Sequence, residues 1–186
     1  MRVKEMLTYL AAALPRFSSP TARLLALQCA LRADRQGRVE LCEGFLRGMR
    51  LASHAALWHE LEHADWLRCT SRRHGAIEAQ LLDVAVLGQA PGRGQPARAA
   101  HWALHPAPLT APREAPPSVR LAALSLAVHT ETGSGSADIN VLARLCGTAP
   151  PSVEDLLDCL TRSRTVASWH RDLEADEACW QLPEQT

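Results

Sequence analysis

The hydrophobic positions of the chain fall into two similar series. In the first, Leu24, Leu27, Cys29 and Leu31 recur at helical spacing over residues 21–33, and residues 34–37 break the pattern with Asp34 and Gly37. Apolar positions resume at helical spacing over 39–47 and over 53–64, where Leu57, Leu61 and Ala64 share one face. The second series predicts helices over 118–129, 139–145 and 152–162. Individual residues correspond as well. Ala22-Arg23-Leu24-Leu25-Ala26-Leu27 returns as Val119-Arg120-Leu121-Ala122-Ala123-Leu124, and Leu46, Gly48, Ser53, Leu57 and Leu61 return as Leu145, Gly147, Ser152, Leu156 and Leu160. The offset grows only from 97 to 99, so the chain carries an internal repeat. Each series continues into a strand-like pair, Trp66-Leu67 or Thr165-Val166, and later into Trp102-Ala103-Leu104 or Trp180-Gln181-Leu182.

Glycine, proline and serine punctuate these segments. Gly48 is expected to take the left-handed conformation after the second helix, and Ser53 to cap the third. Gly133-Ser134-Gly135-Ser136 predicts a flexible loop, and Pro150-Pro151 a turn ahead of the last helix of the second unit. Residues 4–14 read as a helix that packs on its own unit or on a second copy, ended by Pro15 and Pro20. Residues 90–96 are irregular, and the apolar stretch 76–87 before them fits an extended hairpin or an added helix. The expected organisation is an N-terminal helix (1–18), a first unit (19–104), a linker with five prolines (105–117) and a second unit (118–186).

Helix, helix, turn, helix and a two-stranded tail resembles the winged helix-turn-helix superfamily, as found in bacterial regulators and, in tandem, in plasmid replication initiators. The resemblance covers about 21–104 and 118–182. It implies a mainly α protein with small β-hairpin wings, built as two tandem winged-helix domains. In such proteins the third helix enters the major groove and the wing touches the flanking backbone or minor groove. The expectation is a sequence-specific binder of double-stranded DNA, either a transcriptional regulator or a plasmid- or phage-type replication or maintenance factor. A tandem winged-helix protein-interaction module is the alternative.

Charge assigns the two units different work. The chain is neutral overall, but residues 19–104 hold 11 arginines against 8 acidic residues, whereas 115–186 hold 5 against 10. Only the first unit presents the sign that attracts phosphate. Lys4 is the single lysine beside 19 arginines, a bias typical of GC-rich genomes that lowers the weight of any one arginine. With Leu57 and Leu61 inward, the outward face of the third helix is expected to be Ala55, Ala56, Trp58, His59, Glu62 and His63. Base edges would be read by Ser53, His54, His59 or His63, with Trp58 or an alanine methyl against a thymine methyl. Backbone contacts would fall to Arg47 and Arg50 before the helix and to Arg68, Arg72, Arg73 and His74 in the wing. The matching face of the second unit is Glu154, Asp155, Asp158, Thr161 and Arg162, which phosphate would repel. That unit is expected to serve in homodimerisation or in contact with a protein partner.

His59-Glu60-Leu61-Glu62-His63 is a literal HExxH, the pattern that on a helix places two imidazoles for zinc and a glutamate to activate water. The resemblance to zinc peptidases is confined to these five residues. The repeat places Asp158, Cys159 and Arg162 at the positions of His59, Glu60 and His63, so the fold does not require the motif. A metallopeptidase is therefore the third reading, a regulatory metal site on His59 and His63, with His54 or His74 as a further ligand, another one, and the expectation is no metal, no cofactor and no enzyme activity. Six cysteines form no CxxC pair and read as reduced. No stretch approaches a membrane span, Glu5 interrupts the only leader-like segment, and a cytoplasmic location is expected.

Overall fold

The computed structural model describes residues 3–51, 55–73, 75–83, 96–112 and 114–184. The chain divides into two compact units, Met1–Leu104 and His105–Thr186. The architecture is mixed α/β, with one antiparallel sheet of three strands and one of four, so strand contributes more than the mainly α expectation allowed.

In the first unit α1 (Val3–Ala13) turns Val3, Met6, Leu7 and Leu10 inward and packs on α2 (Pro20–Arg32). α2 is buried on every side from Ala22 to Leu31, which makes it the central helix of this unit. Ser19 caps it by accepting from the Ala22 amide, and Pro20 occupies the first helical turn, where a missing N–H costs nothing. The segment expected as one helix over 39–47 is two elements. Val39 and Leu41 alternate inward against exposed Arg38, Glu40 and Cys42, the period of a strand, and form β1 (Arg38–Cys42) before α3 (Glu43–Gly48). α4 (Ala55–His63) leads into the hairpin of β2 (Leu67–Arg73) and β3 (Ala76–Leu81), which turns at Gly75 with φ 87°. The sheet order is β1-β3-β2. Of the apolar stretch 76–87, residues 76–81 are the second strand of that hairpin and 84–87 lie outside the described residues; farther on, residues 96–102 form helix α5 (Pro96–Trp102), so Trp102 ends a helix and not a strand. α5 packs on α2, where the buried Gln28 amide donates to the Ala100 carbonyl at 3.1 Å.

In the second unit α6 (Pro117–Ala127) is buried over Leu121–Ala127 and takes the central place that α2 has in the first. The Gly-Ser stretch expected as a flexible loop is a tight turn and a strand. Thr132 and Gly133, both at positive φ, connect β4 (Thr130–Glu131) to β5 (Ser134–Asp138). α7 (Ile139–Cys146) is capped by the Asp138 carboxylate and ended by Gly147 at φ 66°. α8 (Pro150–Arg162) takes Pro150 and Pro151 into its own first turn, the one place in a helix that tolerates them. β6 (Ser168–Asp172) and β7 (Glu177–Gln181) complete a sheet of order β4-β5-β7-β6.

The repeat is thus one of helix, strand, two helices and a hairpin, with the first strand paired to the last. Details recur with it. α4 and α8 end identically: Asp65 and Arg164 turn left-handed at φ 50° and 57°, while the Trp66 and Thr165 amides bond back to the Leu61 and Leu160 carbonyls. α3 and α7 end alike too, but with a substitution. The left-handed place that Gly147 fills in α7 is taken by Arg50 (φ 60°) after α3, not by Gly48, which is the last residue of the helix. Each core is closed by a tryptophan 2% exposed, Trp66 and Trp180, whose indole N–H is satisfied by the Tyr9 hydroxyl in one unit and the Thr130 hydroxyl in the other.

Candidate nucleic-acid interface

α4 has three kinds of side. Leu57 and Leu61 face the core, and so does Trp58, which is only 2% exposed. Trp58 therefore does not belong to the outward face expected of it. Placed one position beyond Leu57, it continues the buried stripe around the helix toward the core, which a bulky indole fills better than solvent. What α4 presents outward is Ala55, Ala56, His59 and His63.

Two carboxylates border this strip, and both are occupied. Glu60 on one border accepts from the Ser19 hydroxyl at 2.8 Å and from the Ser19 amide, so it braces the cap of α2. Glu62 on the other border accepts from the Cys69 amide at 2.9 Å, at the bulge where β2 slips register between Cys69 and Ser71, and lies 3.4 Å from the His59 imidazole. The HExxH spacing is real, yet its first glutamate is committed to a helix cap and its second to a strand amide. Among the described residues no three His, Cys, Asp or Glu side chains come together as a metal site. Glu62 also helps to push up the Cys69 thiol, after burial as the larger cause, while Arg72 beside it works the other way.

Around this strip Arg47 and Arg50 are exposed before α4, and Arg68 and Arg72 are exposed on β2. Arg73 lies on the same strand. Ser53, His54 and His74, also expected as contacts, and the side chain of Arg73 lie outside the described residues. The first unit thus brings together His59, His63, Arg68 and Arg72 on α4 and the strand tied to it, with Arg47 and Arg50 at the preceding turn.

The matching surface of the second unit is closed on itself. Arg171 on β6 reaches Glu154 of α8 at 2.6 Å and Asp176 beyond the hairpin tip at 2.5 Å, and these carboxylates hold its guanidinium still more firmly protonated. The Trp169 indole donates to Asp158 at 2.8 Å. Of the carboxylates expected to project freely from α8, two are engaged by the hairpin, and Asp155 stays exposed. Sequence reasoning missed these ties because they join residues 11 to 17 positions apart across two elements. Comparison with family models, with curated proteins and with solved structures gives no match for the chain.

Proposed function

We propose that the chain is a tandem winged-helix protein that binds double-stranded DNA in a sequence-specific way through its first unit. The role would be that of a transcriptional regulator or a replication or maintenance factor, with the second unit serving self-association or a protein partner. The observation that carries this reading is the exposed strip Ala55-Ala56-His59-His63 beside a hairpin whose Arg68 and Arg72 face solvent. Support for the fold comes from the order β1-β3-β2 with α2, α3 and α4, repeated as β5-β7-β6 with α6, α7 and α8. Small side chains at the start of α4 let a helix lie close in a major groove, and imidazoles offer donors to guanine or phosphate. Further support comes from Arg50, a bulky residue in a left-handed conformation that glycine fills in the second unit. Backbone strain of that kind is tolerated where the side chain has work to do.

The test is binding of labelled genomic fragments and random duplexes at two salt concentrations, about 50 and about 200 mM, where counterion release makes a phosphate reader lose affinity steeply. Replacing Arg72 and Arg73 together with Ala is expected to weaken binding about equally across sequences and to lower the salt slope by roughly two units. Unchanged affinity and slope would transfer support to the protein-interaction reading. One observation favours that second reading for the second unit: Leu173, 82% exposed, stands at the β6–β7 tip between Asp172 and Glu174.

A further inference from the structure

The turn joining α1 to α2 is built with unusual firmness for a surface connection. The Ser18 amide closes it on the Pro15 carbonyl at 2.9 Å. From inside, the Arg23 guanidinium, 3% exposed, donates to the Pro15 and Ser18 carbonyls at 3.0 and 3.3 Å. From the side, Glu60 holds Ser19. A buried arginine and a carboxylate are both committed to fixing residues 15–19, yet the tip they fix faces away from the core. Phe17 is 94% exposed and Arg16 beside it is exposed. Ordering a turn in order to hold a phenyl ring in water has no benefit for folding, because the ring buries nothing.

The position of the turn gives the ring a use. On α4, Glu60 and Glu62 lie on opposite borders of the exposed strip, since residues two apart on a helix point about 160° apart at the spacing of 100° per residue. Glu62 ties one border to the β2 hairpin, and Glu60 ties the other to Ser19. The strip is therefore flanked by the hairpin on one side and by the 15–18 turn on the other. The turn carries a cation and an aromatic ring and no acidic group.

We propose that residues 15–18 are a second DNA contact, with Arg16 on a phosphate and Phe17 against the deoxyribose surface of the groove on the side of α4 away from the hairpin. This rests on the DNA-binding reading above and extends it to a site that neither the repeat nor the arginine clusters pointed to. Its chemistry is sequence-tolerant: a point charge and an apolar face anchor the backbone while α4 meets the bases. The clamp by Arg23 and Glu60 means that the contact is ordered before DNA arrives, so little rotamer and backbone entropy remains to be lost on binding.

The experiment measures anisotropy of a labelled pool of random-sequence duplexes, titrated with the full chain across a salt series. Arg16→Ala is expected to lower the salt slope by about one unit. Phe17→Ala is expected to weaken binding about tenfold with the slope unchanged, the effect of no longer covering about 50 Å² of phenyl surface. Phe17→Tyr should bind as the parent does, and none of the three should shift thermal unfolding, because both side chains are solvent-facing. If Arg72→Ala weakens binding while the Arg16 and Phe17 variants bind like the parent, the turn is no DNA contact and the wider reading stands. If the parent binds no duplex at any salt, both fall. If Phe17→Ala abolishes self-association, read by light scattering, and leaves DNA affinity intact, the ring docks on protein and the proposal is overturned.

Discussion

Arg72 and Arg171 lie on the outer strands of two sheets in which the order β1-β3-β2 returns as β5-β7-β6, but their surroundings are opposite. Arg72 is exposed beside the Cys69 thiol, on a strand tied to α4 through a backbone amide. Arg171 is held between Glu154 and Asp176, and its neighbour Trp169 is held by Asp158. Both units need a tether between third helix and hairpin. The first makes it with Glu62 and a main-chain N–H, which leaves its cations outward, whereas the second makes it with side-chain ion pairs that use up the cation. Duplicated scaffolds can thus keep one architecture while the choice of tether decides which copy still offers positive charge to a partner.

The comparison can be broken most severely through the cores. Leu61 and Leu160 are equivalent and both fully buried. Truncation of either to Ala should cost about 2–5 kcal/mol, through lost burial and the cavity left behind. Urea unfolding followed by tryptophan fluorescence should show Leu61→Ala lowering the stability of the first unit and Leu160→Ala that of the second. Equal losses would mean that the two cores are packed alike, and a loss below about 1 kcal/mol in one would mark it as the looser copy.

A smaller effect tests a feature of the second unit alone. A Cβ on Gly135 would stand 2.6 Å from the His129 carbonyl oxygen and 2.6 Å from the Trp180 ring. Gly135→Ala is therefore expected to destabilise by about 1–3 kcal/mol, since the neighbours are backbone and a buried indole that must move. A melting temperature equal to the parent's would show that β5 and Trp180 separate easily.

In the first unit, Glu60→Ala should cost about 1 kcal/mol by removing the brace on the α2 cap, and calorimetry would register it without any metal in solution. No change in stability would free Glu60 for the catalytic role its motif suggests. The smallest effect has the opposite sign. Arg50→Gly should gain about 0.5–1 kcal/mol, because glycine accepts φ 60° without the Cβ penalty. It should also reduce DNA affinity and lower the salt slope by about one unit. A gain in stability with no loss of binding would show that Arg50 is only a poor substitute for Gly147.

Periodicity made the central helices and the repeat itself legible. Leu24, Leu27 and Leu31, and Leu121 and Leu124 in α6, are buried where helical spacing puts them. It failed at β1 because Val39, Cys42 and Leu46 recur at helical spacing across 39–47 and mask the alternation of Val39 and Leu41, which pairs with a strand 40 residues later. It failed at Trp58 because the stripe of Leu57 and Leu61 does not tell toward which flank of the helix the core extends, and Trp58 stands between apolar Leu57 and polar His59. It failed at Arg50 because left-handed residues are read from glycine, and Gly48 stood two positions away. Candidate contacts with charged side chains were legible from composition, while the exposed turn at Phe17 depends on the buried Arg23, whose role is visible only in three dimensions.

The pairing of first strand with last also governs the order in which each unit can be made. Val39 meets Ala79 and Ala137 meets Ala178, each closing a loop of about 40 residues. On a ribosome, β1 must wait through the synthesis of α3, α4 and β2 before its partner emerges, and β5 waits in the same way for β7. Each unit should therefore mature in a single late step, when its hairpin returns to the waiting strand, and a stall within either hairpin would leave an unpaired strand edge open to neighbouring chains.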